Sequence, residues 1–374
     1  MIRKIFFLIW GVYFLIGYLT LAWPYAYSWK HLANFGPLTD FNLFLTGNFY
    51  YERSDVEGRV AVKGNATLKS FSIGLKASPT PYTFIVGGNA NLGGPGEAEG
   101  GQINNGGLWV GGNASLQRVG LPQGDIITNG TLTLKDLTVE NGSVIVSGDV
   151  NLERVTIEGN LISNGTININ NSSIHGNITS SLPNIEPPIN FSAINLQQLA
   201  NEILDSNNFF DIEKDEEGKI YIDLDKCNSP VCYLDIDEID FEDAWGVWLE
   251  SSSPKTAIIH VSPDNQSDNK LNIAYKDFKL LGSISNLNIL YIFDPFQEIE
   301  MHHIGLQGSI LAPGASITFY EGVMYGSLFG NNLFSLTDQR GGQINIPVPE
   351  PISFLYFGLF LIVLKYLKKQ WQLQ

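Results

Sequence analysis

Cysteine, methionine and basic residues are scarce in this 374-residue chain, which has two Cys, three Met and 22 Lys plus Arg. Two cysteines exclude a disulfide-dense scaffold and cannot fill a four-cysteine zinc site. The few cations face 38 Asp plus Glu, a net charge of −16, which argues against a nucleic-acid partner. Histidine is also rare, at five residues, and no HExxH, G-x-S-x-G or P-loop spacing occurs. Glycine is plentiful, with 38 residues spread among Asn and Pro through the middle of the chain, which excludes a helical bundle. An apolar fraction of 44% still allows a sizeable core in one large domain or two ordinary ones.

Long apolar runs are confined to the two ends. Met1-Ile2-Arg3-Lys4 precedes an apolar run to Trp23, the layout of an export signal, and Ala26-Tyr27-Ser28 offers a small-x-small cleavage site at Ala26 and Ser28. The run is long enough that an uncleaved anchor is the alternative. Residues 1–28 are therefore read as a signal peptide, and the body as exported. At the other end Val348-Pro349-Glu350-Pro351 leads into an apolar run from Ile352 to Leu364, then Lys365-Tyr366-Leu367-Lys368-Lys369. The lysines would stay on the cytoplasmic side.

This ending resembles the PEP-CTERM sorting signal, and residues 346–374 are read as that segment. The resemblance implies a Gram-negative bacterium, a membrane-held precursor, and an exosortase-type protease that removes the tail. A plain tail anchor is the simpler reading.

The middle reads as a stacked repeat. Turn motifs place glycine at 64, 88, 112, 130, 148 and 165, at separations of 24, 24, 18, 18 and 17 residues. Between them apolar residues alternate, as at Val60 and Val62, Leu132 and Leu134, and Val144 and Val146. Eighteen residues per repeat fit three short strands per coil, with Gly and Asn at corners that need the left-handed backbone. The fold expected over residues 29–345 is mainly β: a parallel β-helix (solenoid), with a β-sandwich as the alternative. Hydrophobic helices are expected at both termini. One helix at about 190–207, with Ile194, Leu196, Leu199, Ile203 and Leu204 as its apolar stripe, should flank the solenoid. Strands are expected to resume near 219–224, 257–261 and 287–293.

Asp40-Phe41-Asn42-Leu43-Phe44-Leu45-Thr46-Gly47-Asn48-Phe49, with the following Ser54 to Asn65, resembles the opening of the choice-of-anchor A domain. Ile310-Leu311-Ala312-Pro313-Gly314-Ala315 resembles its closing coils. The resemblance spans about residues 38–340. It implies a bacterial surface domain of adhesive character, β-helical with a flanking helix, that occurs with different C-terminal anchors.

Candidate chemistry is sparse. Asp55, Glu57 and Arg59 at i, i+2, i+4 would share one face of a strand, a carboxylate pair with a cation that a polysaccharide lyase or hydrolase could use. The plainer reading is a structural ion-pair ladder. His302 and His303 are adjacent, so a strand would send them to opposite faces. Residues 205–243 hold 14 Asp or Glu against three Lys, and the alternating acids at 211–215 and 235–238 would suit Ca²⁺. Glu216 and Ile222 occupy the Gly and Glu positions an EF-hand loop requires, so a solvated acidic surface is the default and no cofactor is expected. Cys227 and Cys232 could close a small loop outside the cytoplasm. Asn-x-Ser/Thr sequences, as at Asn65, Asn113 and Asn129, read as turn chemistry rather than glycan sites.

The function expected is therefore a non-enzymatic, exported surface or matrix protein of biofilm type. It would meet polysaccharide or matrix through polar solenoid faces and the membrane through its ends. A polysaccharide-active enzyme is the alternative. An ice-binding protein ranks below both, because only Thr131-x-Thr133 gives the Thr-x-Thr pattern clearly.

Overall fold

A computed structural model of the chain describes residues 29–205, 207–264, 269–336 and 339–346, with no account of the side chains of His31 and Leu287. Ala26, Ser28, Val348, Pro349, Glu350, Pro351 and both terminal hydrophobic segments lie outside these residues. Among the described residues no helix is long and apolar enough to cross a membrane.

The architecture is mainly β, and its named strands pair in parallel. Short strands Leu43–Leu45, Val60–Val62, Tyr82–Val86, Gly107–Val110, Ile126–Thr128, Val144–Val146 and Leu161–Ser163 each pair with the next. Between them run longer strands such as Phe49–Val56, Ala66–Ile73, Leu132–Val139 and Val150–Ile157, paired in the same order. The coil is thus a triangular prism. Some coils draw it with three separate strands, as the repeat length suggests (Tyr82–Val86, Ala90–Gly93 and Gly101–Ile103; Gly107–Val110, Ala114–Gln117 and Val119–Gly120), and in others the second and third strands run together as one bent long strand.

The bend falls on Arg53, Ser70, Arg118, Asp136, Arg154 and Asn171, all at φ between 47° and 57°. These non-glycine residues take the left-handed corner conformation, at roughly 1 kcal/mol each. The expectation that Gly and Asn of the turn motifs do so is corrected here. The glycines at 64, 88, 112, 130, 148 and 165 have ordinary φ and serve close approach instead. A β-carbon on Gly130 would lie 2.7 Å from the carbonyl oxygen of Gly112, and one on Gly112 would lie 2.8 Å from that of Gly88. Stacked turns touch backbone to backbone, which leaves no room for a side chain.

Residues 210–345 form a second run of coils. Strands Val231–Asp237, Thr256–Ser262, Ile289–Ile292, Ser309–Tyr320 and Leu328–Phe334 stack in sequence. The last of these coils then docks under the first coil of the chain, with Leu43 opposite Leu328, Phe49 opposite Leu333 and Val56 opposite Ile344. In space the prism begins near residue 210, runs to 345, continues at 43 and ends near 179. A three-stranded sheet, Ile220–Asp223, Gly246–Ser251 and Asp277–Gly282, walls one side of the later coils.

Helix α1, Leu196–Asp205, lies in the segment that returns from the far end of the prism to its beginning. It buries Leu196, Leu199, Ala200 and Ile203, the stripe seen in the sequence apart from Ile194 and Leu204, which pack at its edge. This explains the short strands, which read as three apolar residues in a row rather than as an alternation. Val60 and Val62 point into the prism, while Ala61 points outward and is still buried. Phe44, Ile85, Trp109, Ile127 and Ile145 do the same, and with α1 and the Trp29–Phe41 segment they make a second core outside the prism.

Candidate functional site

One of the three prism faces is therefore covered, and the other two are open. The face formed by the first leg of the long strands carries two cavities and is the candidate contact surface. Its outward side chains stack in columns. One runs Thr67, Asn91, Ser115, Thr133, Asn151 and Asn168 through successive coils. Asn168 donates to Asn151 along it, at 2.9 Å.

A second column polices the turns. Asn48 Oδ1 accepts from the Asn65 amide at 2.9 Å, Asn65 Oδ1 from Asn89 at 2.8 Å, Asn89 Oδ1 from Asn113 at 2.8 Å, and Asn113 Oδ1 from Thr131 at 2.8 Å. Asn332 extends this ladder across the junction of the two halves by accepting from the Asn48 amide at 2.7 Å. The Asn-x-Ser/Thr sequences at Asn65 and Asn113 thus cap the turns of neighbouring coils.

A shallow depression of about 460 Å³ runs over Thr67, Asn91, Ser115 and Thr133. Farther along the same face a larger groove of about 1120 Å³ is lined by Asp294, Glu298, Glu300, Ser316, Thr318 and Phe334. Glu298 pairs with Lys270 at 2.9 Å, and Glu300 accepts from the Tyr320 hydroxyl at 2.8 Å. Burial and the Glu300 contact push the Tyr320 hydroxyl up to about 12, so it stays a neutral donor.

At the edge of this groove the sequence reading fails for the histidine pair. His303 has φ +51°, which turns its ring to the same side as His302 and brings the two Nδ1 atoms to 3.0 Å. His302 stacks on Tyr320, His303 stacks on Tyr275, and His303 Nε2 meets Glu321 at 2.8 Å. A second aromatic cluster, Trp245 and Trp248 with Lys279 4.2 Å from the Trp248 ring centroid, sits on the three-stranded sheet. No spacing in the sequence pointed to it.

Asp55, Glu57 and Arg59 do not converge. The strand ends at Val56 and the chain rounds a prism corner, so the three leave in different directions. Asp55 is 3.5 Å from Gln343 Nε2, Glu57 pairs with Lys76 at 2.6 Å, and Arg59 Nε donates to the Tyr82 carbonyl. The acidic stretch is spent on local work. Asp223 and Asp237 cap helical turns, and Asp215 accepts from the Lys219 amide at 3.0 Å. Among the described residues no group of three or more His, Cys, Asp or Glu is arranged to hold a metal ion. The structure pairs Cys227 with Cys232, their Cα atoms 6.0 Å apart.

Asp235 and His260 form a partly buried pair. His260 Nδ1 lies 2.6 Å from Asp235, and its Nε2 lies 3.0 Å from the Asp294 carbonyl. Burial opposes charge on the ring, but these two acceptors outweigh it and hold His260 above its ordinary value. Burial also opposes charge on Asp235, yet its contact with His260 holds the carboxyl below the usual range.

Fold and surface together define a parallel β-helical domain with one face sealed by a helix and a polar, grooved face left open. The chain belongs to the family described as "Putative Ice-binding-like adhesive domain", whose model matches residues 34–121 and 82–345. No curated protein matches it. The crystal structure of ice binding protein from an Antarctic bacterium Flavobacteriaceae is similar at 11% identity, with a TM-score of 0.22, over 83% of this chain and 97% of that one.

Proposed function

We propose that the protein is an exported, non-enzymatic bacterial adhesin of choice-of-anchor A type, which contacts polysaccharide or matrix through the open grooved face. The stack of outward Thr, Asn and Ser side chains on that face carries the reading. It offers repeated hydrogen-bonding positions at the inter-strand spacing of about 4.8 Å, along an axis that a polymer can follow. Weak contacts of this kind add through multivalency. Family membership supports the adhesive character, and the Pro349-Glu350-Pro351 tail supports sorting by an exosortase-type protease to the cell surface or matrix.

Replacing Asn91 and Thr133 together with Trp would fill the shallow depression. Binding to immobilised polysaccharides and matrix proteins should fall at least tenfold while thermal stability holds. Unchanged binding sinks the reading. Asp294, Glu298 and Glu300 in the larger groove favour a second reading, polysaccharide cleavage. New reducing ends or unsaturated products in the same incubations, lost in Glu298→Gln or Glu300→Gln, would establish it in place of the first. The sorting claim has its own check. Deleting 348–374 should abolish processing and change the fraction in which the protein is found.

A further inference from the structure

We infer that the cavity at the junction of the two halves is a carboxylate site, and that its occupant is Glu350 of the chain's own Pro349-Glu350-Pro351 segment. The cavity, about 560 Å³, opens where the first coil sits on the last. In a chain of net charge −16 it gathers three cations, Lys30, Arg59 and Lys76. Two acids oppose them. Asp40 lines the cavity, and Glu57 holds Lys76 at 2.6 Å.

Arg59 is the centre of the site. Its guanidinium stands over the Phe41 ring, 4.7 Å from the centroid, and Nε is committed to the Tyr82 carbonyl at 3.2 Å. The terminal nitrogens are not so committed. Their contact with Asp40 is 3.7 Å, longer than a hydrogen bond, and no described residue accepts from them. A fixed, partly buried guanidinium with its outer N–H groups open is a fork for one carboxylate. Burial holds both Lys30 and Arg59 below their ordinary values, Asp40 offsetting part of it, and a docked carboxylate would offset it further.

The occupant follows from where the chain leaves the fold. The Ile346 amide donates to Glu57 at 3.0 Å, and Ile346 itself lines the cavity. The next residues are Pro347-Val348-Pro349-Glu350-Pro351. Four residues of chain separate Glu350 from Ile346, which at about 3.1 Å per residue bounds its reach at about 12 Å. Glu350 is also the only acidic residue from 346 to 374. A tether this short gives an effective concentration in the millimolar range, enough to fill a modest site. The contact stands without the sorting proposal.

Arginine-directed labelling of the full chain with phenylglyoxal, read by peptide mass spectrometry, tests the contact. Glu350→Gln falls outside the coil strands, which end at Asn345, so those strands should keep their stability. Arg59 should react about tenfold faster in Glu350→Gln than in the native chain, with Arg118 unchanged as internal control and Glu350→Asp restoring most of the protection. Equal Arg59 rates in the native and Gln chains overturn the proposal. So does protection by added acetate or sulfate of the same size in both, which would assign the cavity to a free anion. If deleting 348–374 leaves location unchanged while Glu350 still shields Arg59, the sorting reading fails and this one stands.

Discussion

The two halves of the prism solve one problem in different ways. Every turn of a stacked coil leaves backbone groups that the strand ladder does not pair. The half at 43–179 answers with repetition. Glycines let successive turns touch, and Asn side chains reach the next coil's amide. The half at 210–345 answers with individual charged side chains. Lys276, 4% exposed, donates to the Glu242 and Ala244 carbonyls at 2.6 Å each, and Lys255 donates to the Leu224 carbonyl at 2.6 Å. Burial brings Lys276 down to about 8, so this plug is weakly held in its charged form near neutrality. Repetition makes a surface of uniform spacing, while single-use plugs make one with grooves and charged clusters.

If turn stacking is what the regular half depends on, a methyl group should be ruinous at a stacked turn glycine and harmless at a glycine of the later half that no turn stacks on. Gly130→Ala places a β-carbon 2.7 Å from the Gly112 carbonyl oxygen, against backbone that cannot rotate away. A loss of about 3 kcal/mol is expected. Gly305→Ala meets nothing within 4 Å, and its expected change is a gain of about 0.5 kcal/mol through the unfolded chain. Denaturant midpoints of the two variants decide it, and equal losses would refute the distinction.

The same contrast explains what could be read from the sequence. The regular half announced itself through its glycine period and its runs such as Val144-Ile145-Val146. The helix was visible because Leu196, Leu199 and Ile203 repeat at helical spacing. The joining of the halves was hidden, since Leu43 and Leu328 are neighbours only through a pairing almost the length of the domain. The corners were hidden because Arg53, Ser70, Asp136 and Asn171 share no chemistry, only a backbone state. The histidine pair was misread for the same reason, because one left-handed residue at His303 undoes the alternation that a strand would impose. Asp55, Glu57 and Arg59 were read as one face because nothing in their spacing marks the corner after Val56.

The halves should also differ in their response to pH. His260, with a side chain 17% exposed, is held above its ordinary value by Asp235 and the Asp294 carbonyl against the opposing effect of burial. A raised histidine contributes stability that is complete below the unfolded value of about 6.5 and is lost as pH rises through the higher folded value. Asp211 lies beside Asp235 in the strand register and adds negative charge on the same side. His260→Gln should cost about 1.5 kcal/mol at pH 6 and much less at pH 8, with exchange rates rising mainly in the 210–345 coils. A loss that does not vary with pH would show that the pair acts by packing alone.

The smallest effect belongs to the Asn ladder and tests whether glycine contact or side-chain capping keeps the regular half in register. Asn113 Oδ1 accepts from the Thr131 amide at 2.8 Å, at an exposed position where water can replace it. Asn113→Ala should therefore cost only about 0.5–1 kcal/mol. The local consequence should be larger than the global one. The Thr131 amide should lose most of its exchange protection, while the paired strands Ala114–Gln117 and Leu132–Val139 keep theirs. The turn amide held only by a side chain then fails before the ladder does. If Thr131 stays protected in the alanine variant, the backbone contact between Gly112 and Gly130 alone fixes the turn. The Asn column would then be free to serve the outer surface, where its amides face the same side as Thr67 and Thr133.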